Sequence, residues 1–155
     1  MISVSNESED KGMTEEQIRE EFIKGYDCSQ VVLRAFAGEL GISEDEANRV
    51  AACFGGGMML GEACGVFTGA MMAIGLKYGH SNPENLMEQK EIMMEKSAQF
   101  RREFLKRHAT VVCKPLLGYD VSKPEGLQAA LESGHMLEFC PMLAKETLDI
   151  LRDIL

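Results

Sequence analysis

Apolar residues recur along most of this chain with the period of a helix. Ile18, Phe22 and Tyr26 fall on one helical face. The run Thr14-Glu15-Glu16-Gln17 ahead of them is a capping box, and Gly25 suits the stop. A second helix is expected to open at Asp27, carry Val31, Val32, Ala35 and Phe36, and close by Gly41. Ser43-Glu44-Asp45-Glu46 is another capping box, leading a helix through Ala47, Val50 and Ala51. Residues 54–61 read as a glycine-rich loop holding Gly55, Gly56, Gly57 and Gly61. A buried central helix is predicted over 64–78, ended by Gly79. Asn82-Pro83 reads as an N-cap followed by proline at the first helical position. The long helix after it carries Leu86, Met93, Phe100 and Phe104. Its basic end, Arg101 to His108, complements the helix dipole. Residues 109–134 read as irregular chain with short turns. The last helix is expected over about 135–154, where Pro141 either kinks it or restarts it. No alternating strand pattern occurs, and no repeat. The pattern predicts an all-α, single-domain bundle of about five or six helices around a small-residue-rich central helix. The domain spans 14–155, behind a disordered acidic segment at 1–13.

Composition narrows the functions open to such a bundle. The chain has 155 residues and a net charge of −9. That balance argues against nucleic acid and against anionic membrane surfaces, both of which need clustered Lys and Arg. The apolar run 63–76 falls short of the roughly 20 residues that span a bilayer. The N-terminus has neither the basic nor the apolar region of a signal peptide. The expected location is therefore cytoplasmic. There cysteines serve more often as metal ligands or redox groups than as structural disulfides.

Five cysteines are present, and their positions say more than their number. Cys28 follows the N-cap Asp27. Cys64 opens the central helix. Cys113 precedes Lys114-Pro115, and Cys140 precedes Pro141. Four of the five thus lie at or near an expected helix start, where free N–H groups and the dipole favour a thiolate. Cys53, at a helix end beside Ala51 and Ala52, reads as packing. No Cys-x-x-Cys occurs, which excludes a zinc ribbon, a thioredoxin-like motif and a c-type haem site. On position alone two readings stand side by side: four thiols that meet, or four small buried apolar residues.

Other chemistry is weaker. His80, His108 and His135 form no paired metal motif and read as solvent-exposed. Glu62 reads as a solvated loop carboxylate. The pairs Met58-Met59, Met71-Met72 and Met93-Met94 suit flexible packing or a homodimer interface better than haem or copper ligation. Gly69 and Gly75 suggest close helix packing. The glycine loop lacks the residues of either nucleotide fingerprint, so no nucleotide is expected, and no haem.

Several pieces of the chain, taken in order, resemble the redox-active protein family labelled C_GCAxxG_C_C. They are Gly25-Tyr26-Asp27-Cys28-Ser29-Gln30, Gly55-Gly56-Gly57-Met58, Cys64-Gly65-Val66-Phe67-Thr68-Gly69-Ala70, Gly75-Leu76-Lys77-Tyr78-Gly79, Cys113 to Asp120, and Cys140. The resemblance covers about residues 15–152. The Gly-Cys-Ala of the label reads Ala63-Cys64-Gly65 here, and Cys53 is not among the labelled positions. The resemblance implies a helical fold, a redox role and a site shared by Cys28, Cys64, Cys113 and Cys140, holding an iron–sulfur cluster or another metal. Three functions follow as competing expectations. The first is an electron-transfer protein with a thiolate-bound iron–sulfur cluster or other metal, served by a redox partner the sequence does not identify. The second is a metal-free thiol–disulfide oxidoreductase in which a low-pKa Cys64 attacks first, with Cys28 as the other catalytic candidate. The third is a non-enzymatic helical module with a structural zinc.

Overall fold

The computed structural model describes residues 12–155. Among them the chain forms eight α-helices: α1 (Glu15–Lys24), α2 (Cys28–Ala35), α3 (Glu44–Ala51), α4 (Gly65–Tyr78), α5 (Leu86–Arg107), α6 (Cys113–Leu117), α7 (Pro124–Glu132) and α8 (His135–Ile154). No strand forms among the described residues, although Ala63 and Val112 make one isolated antiparallel bridge. The expected all-α domain is therefore present, with more helices than the five or six read from the sequence. The disordered segment expected over 1–13 lies outside the described residues as far as residue 11. Met13 packs against the core. No described helix is long and apolar enough to cross a membrane.

The caps set the early boundaries. The Thr14 hydroxyl accepts from the Gln17 N–H at 3.2 Å, and the Gln17 side chain accepts from the Thr14 N–H at 2.9 Å. Ser43 and Glu46 repeat the exchange at 3.0 and 2.9 Å. Each box satisfies two donors that a helix start otherwise leaves unpaired.

Helix α4 is the hub, packed against α2, α5 and α8. Val66, Ala70, Ala73 and Ile74 are buried on it. Its approach to α2 is close because Gly69 has no side chain: a Cβ there would lie 2.8 Å from the Ser29 carbonyl oxygen. Gly75 differs from its expected role, since a Cβ there would meet nothing within 4 Å. Phe67, Phe100 and Phe104 join α4 to α5 with ring centroids 5.5–6.1 Å apart. Each fully buried large side chain, such as Phe100 or Leu151, contributes about 2 kcal/mol.

Pro141 does not restart α8, which is one continuous helix through it. A proline inside a helix leaves the carbonyl four residues earlier without its usual donor. That carbonyl belongs to Leu137, and Arg19 Nε of α1 donates to it at 2.8 Å. The proline thus becomes a tie between the two helices.

Three local expectations change. Asn82-Pro83 forms a turn, closed by a Glu84 N–H to Asn82 Oδ1 bond at 3.1 Å. α5 starts later, behind Asn85, while the Gln89 side chain accepts from the N–H groups of Ser81 and Asn82. Residues 109–134 hold two helices rather than irregular chain. α6 has only five residues, too few to show a period, and α7 carries a poor helix former, Gly126, in its first turn. That glycine is required, because a Cβ would run into the Asp120 carbonyl. The glycine loop is a left-handed turn: Gly56, Gly57, Met58 and Met59 all have φ near +60°. For the two methionines that conformation costs about 1–2 kcal/mol each.

Candidate sulfur site

Four chain segments each deliver one cysteine to the same place. Cys28 is the first residue of α2, where the Gln30 side chain accepts from the Asp27 N–H at 2.9 Å. Cys64 is the N-cap of α4 and Cys113 the first residue of α6. The bridge between Ala63 and Val112 fixes these two together. The Cys64 N–H donates to the Val111 carbonyl at 2.7 Å, and the Cys113 N–H to the Glu62 carbonyl at 2.6 Å. Glu62 therefore contributes through its backbone, while its side chain is exposed as expected. Cys140 comes from the second turn of α8. It is inside the helix rather than at a start, because Pro141 does not interrupt α8.

All four cysteines line one cavity of about 200 Å³. Its other walls are mainly apolar, with Val66, Leu117, Met136, Phe139 and Leu143 among them. Asp27 is the one carboxylate on its lining among the described residues. Gly65 makes room for the site: a Cβ there would collide with the Cys28 sulfur, and would crowd the Phe54 carbonyl at 3.1 Å.

The electrostatics reverse an expectation. Helix starts do aim N–H groups at the sulfurs, Ser29 at Cys28 and Val66 at Cys64, and the glycine turn adds the Gly56 N–H at Cys28. Yet burial outweighs them, because moving a thiolate from water into an apolar cavity costs more than one or two N–H groups return. Burial pushes the Cys28 thiol up, and the neighbouring Asp27 charge adds to it. Cys64 is raised well above the ordinary range, first by burial and then by repulsion from Cys28, with Cys113 and Cys140 contributing. Cys113 is raised to about 11 by burial, by Cys28 and by Asp120. Cys140 is raised further, by burial, then by Cys28 and Cys113. The low-pKa Cys64 expected from its helix start is therefore corrected to a buried, protonated thiol.

This has a consequence for stability. Unfolded, these thiols ionise near 8.5. Folded, they ionise higher, so above about pH 8.5 the unfolded chain binds fewer protons than the folded one. Stability is then full below that pH and falls as pH rises, levelling for Cys113 only near 11. Urea unfolding of the reduced, metal-free protein should show its midpoint dropping between pH 8.5 and 10.5. A midpoint constant over that range would contradict the burial of these thiols.

The remaining candidates separate clearly. Cys53 is exposed and does not line the cavity, so the packing role read for it is corrected. The turn at 52–54 swings it outward. None of the three histidines lines the cavity. His80 is exposed as expected. His108 is not: its Nε2 lies 2.8 Å from Glu146 Oε2, and its ring stands 5.1 Å from that of Phe104. His135 stacks on Phe139 at 5.4 Å. Both have aromatic shelter that a helix-end position does not reveal. Met58 and Met59 are exposed. Met136 also lines the cavity, and no adjacent methionine marks it in the sequence. Its signal was the spacing to Cys140: four residues apart on a helix share a face.

Among the described residues, no group of three or more His, Cys, Asp or Glu side chains is arranged to hold a metal ion as it stands. The four thiols surround a cavity rather than closing on one point.

Searches of the curated proteins and of the solved structures each found no match. A family model described as "Putative redox-active protein (C_GCAxxG_C_C)" matches residues 26–154, a span that begins just before Cys28 and ends past Cys140. On that match over most of its length, the chain belongs to the C_GCAxxG_C_C redox-active family.

Proposed function

We propose that Cys28, Cys64, Cys113 and Cys140 act together as one sulfur ligand set that holds a thiolate-bound metal centre, an iron–sulfur cluster above all, and serves in electron transfer. The observation that carries this reading is the convergence of the four thiols on one apolar cavity. Soft sulfur donors favour iron–sulfur clusters, zinc and copper(I). Sulfurs spread around a cavity of about 200 Å³ suit a polynuclear centre, which separates its ligands, better than a single ion, which draws them in. The bound centre would supply one-electron chemistry. The chain's own residues supply the rest. Apolar walls exclude water, and the N–H groups of Gly56, Ser29 and Val66 are aimed to stabilise ligating thiolates.

The raised thiols also rank the alternatives. Metal-free thiol–disulfide exchange needs an ionised attacking sulfur, and burial keeps these four protonated. A cation entering the cavity removes that obstacle, because it replaces the protons and offsets the charge. Anaerobic purification followed by iron and acid-labile sulfide analysis tests the proposal. Stoichiometric iron and sulfide with visible absorption are expected. Colourless, metal-free protein that also refuses reconstitution would sink it.

A further inference from the structure

Helix α5 is longer than its share of the core requires. Of its 22 residues only Phe100 and Phe104 are buried. They turn toward α4, where both rings meet Phe67. A second side, with Gln99, Glu103 and Arg107, borders α8. A third side carries a line of apolar groups that nothing among the described residues covers. Met87, Met94 and Leu105 on it are 68%, 55% and 43% exposed. Their spacings of seven and eleven residues are close to two and three whole turns, so they form one straight stripe. Ala98, half-buried, falls on the same line. A second apolar stripe on a helix that is already docked is the mark of a second packing partner.

The charges beside the stripe identify that partner. Glu88, Glu91 and Glu95 lie in the first half of α5, whereas Arg101, Arg102 and Arg107 lie in its last two turns. Glu91 and Arg102, eleven residues apart, flank the stripe on one side, and Lys90 and Arg101 flank it on the other. All four are exposed, and none forms an ion pair among the described residues. One face thus carries an apolar seam and charges of both signs, as a two-fold interface between identical subunits requires.

We propose that two copies of this chain pair through α5, antiparallel, about a two-fold axis level with Lys96. In that register Met87 lies against Leu105 of the second copy and Met94 against Ala98, each pair standing equally far from residue 96. The acidic half of each helix meets the basic end of the other, and the two helix dipoles oppose. The two-fold brings like flank to like flank. Glu91 therefore faces Arg102 of the second copy, while Lys90 faces Arg101, a like-charge pair that weakens the contact. A seam about 33 Å long gives an interface at the small end of specific ones. The dimer is accordingly weak, with a micromolar Kd.

Sedimentation velocity of the full chain, reduced, metal-free and at low ionic strength, tests the proposal across the micromolar range. Wild type is expected to show a monomer–dimer equilibrium. Met94→Glu, which puts a carboxylate into the seam twice over, should raise Kd at least about 100-fold. Circular dichroism of the dilute variant, matching wild type, confirms that it folds. Lys90→Glu should lower Kd about fivefold, because it turns the repulsion from Arg101 into attraction. A parallel pair would set residue 90 beside Glu91 instead, so the same substitution would raise Kd. Wild type that stays monomeric would overturn the proposal, as would a dimer indifferent to Met94→Glu. A dimer that Lys90→Glu weakens or leaves unchanged would overturn the antiparallel arrangement.

Discussion

Gly65→Ala is expected to destabilise the fold by about 3 kcal/mol and to displace Cys28 from the site. The new methyl group would collide with the Cys28 sulfur and sit 3.1 Å from both the Phe54 carbonyl oxygen and the Ser29 nitrogen. Two of those three neighbours are backbone, so they cannot rotate away. The gain in helix propensity from glycine to alanine, about 1 kcal/mol, does not offset such overpacking. Gly75 on the same helix provides the control. It faces open space, so Gly75→Ala keeps the propensity gain and should stabilise the protein by roughly 0.5–1 kcal/mol. Urea unfolding of the two variants should move in opposite directions. A Gly65→Ala midpoint at or above wild type would show that α2 and α4 are not as close as the structure places them.

The second large effect concerns the ligands. Replacing Cys28, Cys64, Cys113 or Cys140 singly by serine should weaken metal binding by about 100-fold. Structural thiolate centres gain roughly 10–16 kcal/mol in all, so each of four sulfurs carries about 3 kcal/mol, and every 1.4 kcal/mol is tenfold. Cys53→Ser should leave binding unchanged, since Cys53 is exposed and outside the cavity. The measurement is reconstitution with iron and sulfide under anaerobic conditions, followed by titration with a chelator. Four losses and one neutral result are expected. A loss confined to two of the four would point to a pair of ligands rather than a set.

Much of this fold was legible because its helices announce themselves locally. The Thr14 and Ser43 boxes each need only four consecutive residues to be read, and both form as expected. The central helix was equally plain, being apolar around its whole circumference. What escaped was set by tertiary contact. α6 is five residues long and holds its place through the bridge between Ala63 and Val112, which no local pattern encodes. Pro141 reads as a helix breaker unless Arg19, far away in the chain, is known to satisfy the Leu137 carbonyl. Gly126 masked α7 for a similar reason, since its need lies in the Asp120 carbonyl and not in α7 itself.

The site divides along the same line. Its cysteines could be singled out by position, and their meeting was implied only by the family resemblance. Helix starts correctly foretold the N–H groups around Cys28 and Cys64. They misled about the thiols' acidity, because burial is a property of the assembled core. Cys64 shows the balance most clearly: the Val66 N–H lowers it, yet desolvation and three neighbouring cysteines raise it more.

X-ray absorption at the metal edge of the anaerobically loaded protein reads the ligand set itself. A first shell made of sulfur alone is expected, with the same sulfur count in Cys53→Ser and a lower one in Cys64→Ser. A first shell of nitrogen or oxygen in the wild-type protein would contradict it.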